Sequence, residues 1–177
     1  LTGSIPSRQR MADELAAAFP RLPDNVLLVG PDSAVSTYAL ARLANAALIY
    51  GTKTGIELTC AGVPTIVAGE AWIRGKGLTR DVNSREEYAQ ALAELPFATA
   101  LPKAVVESAL RFAFHFFFRR MIPVGSIAPC PGWPPYSIGI AGLDDLAPGR
   151  DPGLDVIVRG LIDEEPFIYP AENNGGE

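Results

Sequence analysis

The residues most able to do chemistry lie together at Gly51-Thr52-Lys53-Thr54-Gly55-Ile56-Glu57. Gly51 lets the backbone approach a ligand closely. Thr52 and Thr54 bring two hydroxyl donors and Lys53 an ammonium. The start of a helix here adds exposed N–H groups and the positive end of the helix dipole. That donor set suits a phosphate. Glu57 follows about one turn later, where a carboxylate can accept two hydrogen bonds from the cis-diol of a ribose. A second use of the same residues stays open. Thr54-x-x-Glu57 is also a capping box, in which both side chains serve the helix's own backbone. Two familiar phosphate loops are excluded by spacing. A Walker loop needs its lysine after the second glycine, and Lys53 precedes Gly55; nor is G-x-G-x-x-G present.

The elements that position this turn are legible on both sides of it. Ala46–Tyr50 is a short apolar run that predicts a strand, Gly62 ends the helix, and Val63–Ala68 predicts a second strand that stops at Gly69. Upstream, Ser7 caps a predicted helix to Phe19, Asn25–Val29 reads as a buried strand, and Ser36 caps a helix to about Ala44. Downstream comes a glycine-rich loop with Arg74, Lys76 and Arg80. Ser84 and Glu87 then form a capping box, whose helix carries Tyr88, Ala91, Leu92 and Leu95 at helical spacing. Pro102 opens a longer helix to about Arg120.

This alternation predicts an α/β fold, with a parallel-sheet, Rossmann-like domain over residues 1–122. Parallel sheets bind ligands at the carboxyl ends of their strands. The loops at Asp32–Thr37, Gly51–Thr54 and Gly69–Gly77 are therefore expected to converge. Residues 123–177 read as an irregular Pro/Gly-rich extension, because Ile122–Gly153 holds seven prolines and six glycines without periodicity. A short helix at Gly153–Asp163 and a disordered tail complete it.

Bulk properties narrow the partners. A net charge of −5 and a pI near 4.9 argue against broad nucleic-acid binding. Cys60 and Cys130 read as free thiols in a reducing, cytoplasmic setting. With a single histidine, His115, and no cysteine pair, a zinc site is not expected. The most apolar stretch, Ala104–Met121, is broken by Glu107, Arg111, His115, Arg119 and Arg120, so no spanning helix is expected. His115 sits among Phe112–Phe118 and reads as a packed helix position. The aromatics there are too dense for one helix face, so the helix is either buried all round or docked on another domain. Glu70 reads as a solvated loop charge, Asp144-Asp145 as turn chemistry, and Arg119-Arg120 as a positive helix end.

Three stretches together resemble the donor-binding segment of the capsule polysaccharide biosynthesis glycosyltransferases. They are Thr52-Lys53-Thr54-Gly55-Ile56-Glu57, Gly62-Val63-Pro64-Thr65-Ile66-Val67-Ala68-Gly69, and Ile73-Arg74-Gly75-Lys76-Gly77-Leu78-Thr79. Leu22–Val26, Pro31–Ser33 and Phe114–Arg120 look like that family too, so the resemblance covers roughly Arg21 to Ile122. It implies the C-terminal half of a GT-B enzyme. Gly51, Thr52, Lys53, Thr54 and Gly55 would contact donor phosphate and Glu57 the ribose, with Gly69 beside them. Lys76 and Arg74 would neutralise a phosphate or a sugar carboxylate. The donor would be CMP- or UDP-linked, with no further cofactor and no metal. The acceptor would be a polysaccharide or glycolipid. The family also implies an N-terminal acceptor domain carrying the catalytic base, and work at the inner face of the cytoplasmic membrane. Because the chain starts at Leu1, it reads as a fragment of such a protein. An epimerase-like enzyme on the same nucleotide sugars, or a non-catalytic α/β interaction module, are the alternatives.

Overall fold

The structure is a computed structural model that describes residues 8–170. The helices are α1 (Met11–Ala18), α2 (Thr37–Ala41), α3 (Thr54–Cys60), α4 (Arg85–Ala93), α5 (Lys103–Phe114) and α6 (Pro152–Ile162). The strands are β1 (Ala47–Ile49), β2 (Thr65–Val67), β3 (Arg80–Asp81), β4 (Ile127–Pro129) and β5 (Tyr136–Ile138). They fall into two units. One takes in the chain up to Ser36 together with Ser126–Gly139, and the other takes in Thr37–Gly125 and the chain from Ile140 on.

The first unit holds α1 and the antiparallel β4–β5 hairpin, in which Ile127 faces Ile138. Arg10 stands at the N-cap of α1, and Ser7, expected to cap it, lies outside the described residues. The strand expected at Asn25–Val29 does not form. Its residues are exposed, Leu27 to 86%. A strand exists only where a neighbour takes up its N–H and C=O groups, and no described strand pairs with this run. The strand end expected to carry the loop at Asp32 is therefore not found among the described residues.

The second unit is a mixed α/β layer. Its sheet is parallel throughout, in the order β1-β2-β3, with Leu48 opposite Ile66 and Val67 opposite Asp81. The α3 crossover joins β1 to β2, as the alternation predicts. Successive residues of β2 point to opposite faces. Val67 enters a cluster with Ile49, Ile56, Ile73, Leu78, Ala109 and Phe116, while Ile66 enters one with Val82 and Ala91. Helices α3 and α5 cover the first face and α4 the second.

Local signals explain the boundaries. Gly62 has φ +83°. It closes α3 with a Schellman motif: Val63 N–H donates to Leu58 O and Gly62 N–H to Thr59 O, each at 3.0 Å. The buried Thr59 hydroxyl donates to Gly55 O at 2.8 Å and lies 3.3 Å from the Thr65 hydroxyl, which itself donates to Val63 O. Ser84 caps α4 as expected, accepting from Glu87 N–H at 3.1 Å. Glu87 reaches back one residue further than a capping box requires and accepts from Asn83 N–H at 2.7 Å. The long helix expected to Arg120 is α5 followed by a π turn, His115–Arg119. Asp151 caps α6 through Gly153 and Leu154 N–H. The expected disordered tail begins at Ala171, outside the described residues. No helix among the described residues is long and apolar enough to cross a membrane.

Gly69 ends β2 where the chain passes close to β1. A Cβ built there would lie 2.7 Å from Tyr50 O and 2.6 Å from the Tyr50 ring. The ring can turn aside, but the carbonyl belongs to the backbone at the sheet edge. Gly69→Ala is therefore expected to lower stability by about 1–3 kcal/mol, read as a lower urea midpoint at unchanged slope. At Gly142 the backbone is extended and a Cβ meets nothing within 4 Å, so Gly142→Ala should stay within about 0.5 kcal/mol of the parent.

Candidate functional site

The turn between β1 and α3 is built by its own hydroxyls. Thr52 Oγ accepts from Thr54 N–H at 3.2 Å and donates to Thr54 Oγ at 3.1 Å. Thr52 therefore caps the first turn, and the Thr54 hydroxyl keeps its own hydrogen to donate. Lys53 is exposed at the head of the helix. Gly51 lies against the next loop, since a Cβ there would be 3.2 Å from Glu70 O. Gly55 is buried because its missing side chain makes room for Ile49.

Glu57 decides between the two readings of Thr54-x-x-Glu57. It does not close a capping box: Thr54 is the first helical residue and no side chain caps α3 from Lys53. Instead the Tyr38 hydroxyl donates to Glu57 Oε2 at 2.7 Å. Both residues line a cavity of about 550 Å³ with Arg42, Asn45, Ala61–Pro64 and Phe97–Ala100. Asn45 holds one wall in place. Its amide exchanges hydrogen bonds with the Phe97 backbone, at 2.9 Å to Phe97 O and 2.6 Å from Phe97 N–H. The Glu57 carboxylate favours the neutral phenol through the hydrogen bond and through charge, so Tyr38 titrates above its ordinary value of 10.0. Burial, and secondarily the Glu57 charge, push the half-buried Cys60 thiol up, which disfavours its thiolate.

Gly69 and Arg74 line a different cleft, about 650 Å³, at the carboxyl ends of the strands with Tyr50, Glu70, Asn83, Ser84, Arg85 and Tyr88. Arg74 does not point out of it as a free cation. Its guanidinium donates to Val67 O at 3.1 Å, Gly69 O at 3.3 Å and Val82 O at 3.0 Å, and to the Asn83 side chain. Glu70, 4.0 Å away, has a side chain 96% exposed and adds little, as a solvated loop charge should. Lys76 lies in a third cleft with Trp72, His115 and Arg120.

Two of the three loops expected to converge, those after Tyr50 and Ala68, do meet at the sheet edge. The candidate residues divide among the α3 turn, the Glu57 cavity, the strand-end cleft and the Lys76 cleft. Sequence reasoning missed Tyr38, which sits nineteen residues before its partner, a separation that no local spacing rule reports. It also missed Ser84, Arg85 and Tyr88 as lining residues, having assigned them to helix initiation and packing. Asp144-Asp145 is turn chemistry: Asp145 Oδ2 accepts from Ala141 N–H at 2.8 Å. Among the described residues no group of three His, Cys, Asp or Glu side chains is placed to hold a metal. Comparison with protein-family models, with curated proteins and with solved structures gave no match.

Two outcomes follow from this geometry. Arg74→Lys loses the planar fork that spans three carbonyls, and should cost about 2–3 kcal/mol, measured by denaturant unfolding. The Tyr38 phenol, followed by NMR on ring-labelled tyrosine, should titrate above 10.0 and return toward that value in Glu57→Gln. Because the folded-state value is raised, the pair's contribution to stability is present below the unfolded phenol's titration and is lost as pH rises through the folded one. The stability gap between the parent and Tyr38→Phe should close accordingly at high pH.

Proposed function

We propose that the Thr37–Gly125 segment binds a nucleotide-activated sugar as the donor-binding half of a glycosyltransferase in capsular or surface polysaccharide synthesis. One observation carries this reading. Glu57 is turned away from its own helix start and presents its carboxylate, with the Tyr38 hydroxyl, to a cavity of about 550 Å³. A charged acceptor in a concavity of that size suits the adjacent hydroxyls of a ribose. Tyr38 leaves the carboxylate further lone pairs, so it positions Glu57 without consuming it.

In this reading the phosphate donors come from the α3 turn, one helical turn before Glu57 and outside the cavity's own lining. The Thr54 hydroxyl and the Lys53 ammonium are the donors for the phosphate, one phosphate for a CMP-linked sugar and two for a UDP-linked one. Lys53 also stabilises the leaving nucleotide as negative charge grows on it. On this proposal the parallel β1–α3–β2 unit is part of a Rossmann-like GT-B half. The acceptor, a polysaccharide or glycolipid, would be held by a further domain at the inner face of the membrane.

Titration calorimetry with UDP, CMP and their sugar conjugates tests the reading. At least one nucleotide should bind, and Glu57→Ala should weaken it by about tenfold or more, with circular dichroism unchanged. Thr54→Ala should weaken it less. A folded chain that binds neither nucleotide at millimolar concentration, or binds one equally well without the Glu57 carboxylate, refutes the proposal.

A further inference from the structure

The third cleft, about 450 Å³, is lined by Trp72, Lys76, Phe112, His115, Phe116, Arg120 and Met121. Its floor is aromatic: Phe116 is buried, stacks on Phe112 with centroids 6.0 Å apart, and meets the Trp72 ring at 5.3 Å. The indole is nonetheless 65% exposed, and Met121 is exposed beside it. No core contact explains an indole left in water. The cleft has no acidic lining residue, although the chain as a whole carries −5. Glu107, the nearest acid on the same helix, lies 3.7 Å from Lys103. On the helix that forms one wall, Phe114 and Phe118 stack on each other in solvent, Phe118 66% exposed. An indole beside exposed ammonium and guanidinium groups matches the headgroup layer of a bilayer, where one end of the ring is apolar and the other wet.

We infer that this cleft docks the protein on an anionic phospholipid surface. Lys76 and Arg120 meet lipid phosphates, and Trp72 and Met121 enter the headgroup layer. The charge contrast selects this occupant: an acidic protein is repelled by such a surface everywhere except at a basic patch. The inference is independent of nucleotide binding at Glu57, since the two sites share no residue.

The chain has two tryptophans, so Trp133→Phe leaves Trp72 as the sole indole reporter. This variant should float with phosphatidylcholine vesicles containing about 30% phosphatidylglycerol and not with phosphatidylcholine alone. Its emission should shift to the blue on binding, and brominated lipid should quench it. Lys76→Glu/Arg120→Glu should reduce binding by about tenfold or more, and so should raising salt to about 0.5 M. Arg8→Glu/Arg150→Glu changes the net charge equally at two residues that do not line the cleft and should keep most of the binding. Four results overturn the inference. They are no flotation with anionic vesicles, an equal loss in the Arg8/Arg150 variant, the same blue shift with inorganic phosphate alone, and a blue shift without lipid that tracks dimer formation in light scattering.

Discussion

The carboxyl edge of this sheet depends on one guanidinium. Strand β3 has two residues, and the connection from β2 to it contains no helix to pack it down. Val67 O is paired with Val82 N–H at 3.0 Å, but the carbonyls of Gly69 and Val82 need a donor at the place where a parallel sheet meets its ligands. Arg74 takes up Val67 O and Gly69 O from one strand end and Val82 O from the other. The loop is fixed from two further directions. Ile73, next in the chain, is fully buried. Asp81 accepts from Gly75 N–H at 2.6 Å and from the Thr79 hydroxyl at 2.6 Å. With that edge held, Gly69 can pass within contact of Tyr50, and the turn at Gly51 can lie against Glu70.

The sequence was most legible where a short stretch determines its own structure. Gly62 ends α3 because the position just after the C-cap requires a positive φ. Ser84 and Glu87 start α4 because both partners lie within four residues. The β1–α3–β2 unit shows as two apolar runs around a polar turn. The parts that misled were those that need a distant partner. Asn25–Val29 has the composition of a buried strand, but a strand is a property of two segments. Thr54-x-x-Glu57 left a capping box and a ligand site both open in the sequence; the structure removes the capping box, because Thr52 caps the turn and Tyr38 donates to the carboxylate. In the glycine-rich loop, Ile73 is core and its neighbour Trp72 is the exposed ring.

The same distinction governs which charged residues can do chemistry. Arginine and lysine in one loop look alike in a sequence, yet their fates differ by burial. The Arg74 side chain is 18% exposed and every donor direction it uses ends on protein. Arg80 is bound by Glu94 through both terminal nitrogens, which holds that carboxylate below its ordinary range. Lys53 and Lys76 are exposed, at the head of α3 and at the rim of the aromatic cleft. A planar guanidinium suits a fixed set of carbonyls, and a flexible ammonium suits a ligand that comes and goes.

Helix α5 and its π turn connect these observations. Ala109 and Phe116 face the core with α3's Ile56, so the helix that packs against α3 also forms a wall of the aromatic cleft. Phe116 and Phe118, two residues apart, fall on nearly opposite sides of the helical turn. Phe116 therefore reaches the core while Phe118 stays in solvent. Arg119 O accepts from Tyr169 N–H and Arg119 Nε donates to Tyr169 O, which secures the end of the turn. An aromatic run that is too dense for one helix face is thus divided between inward and outward tasks. The outward rings and cations gain a rigid base from the same packing that holds the sheet.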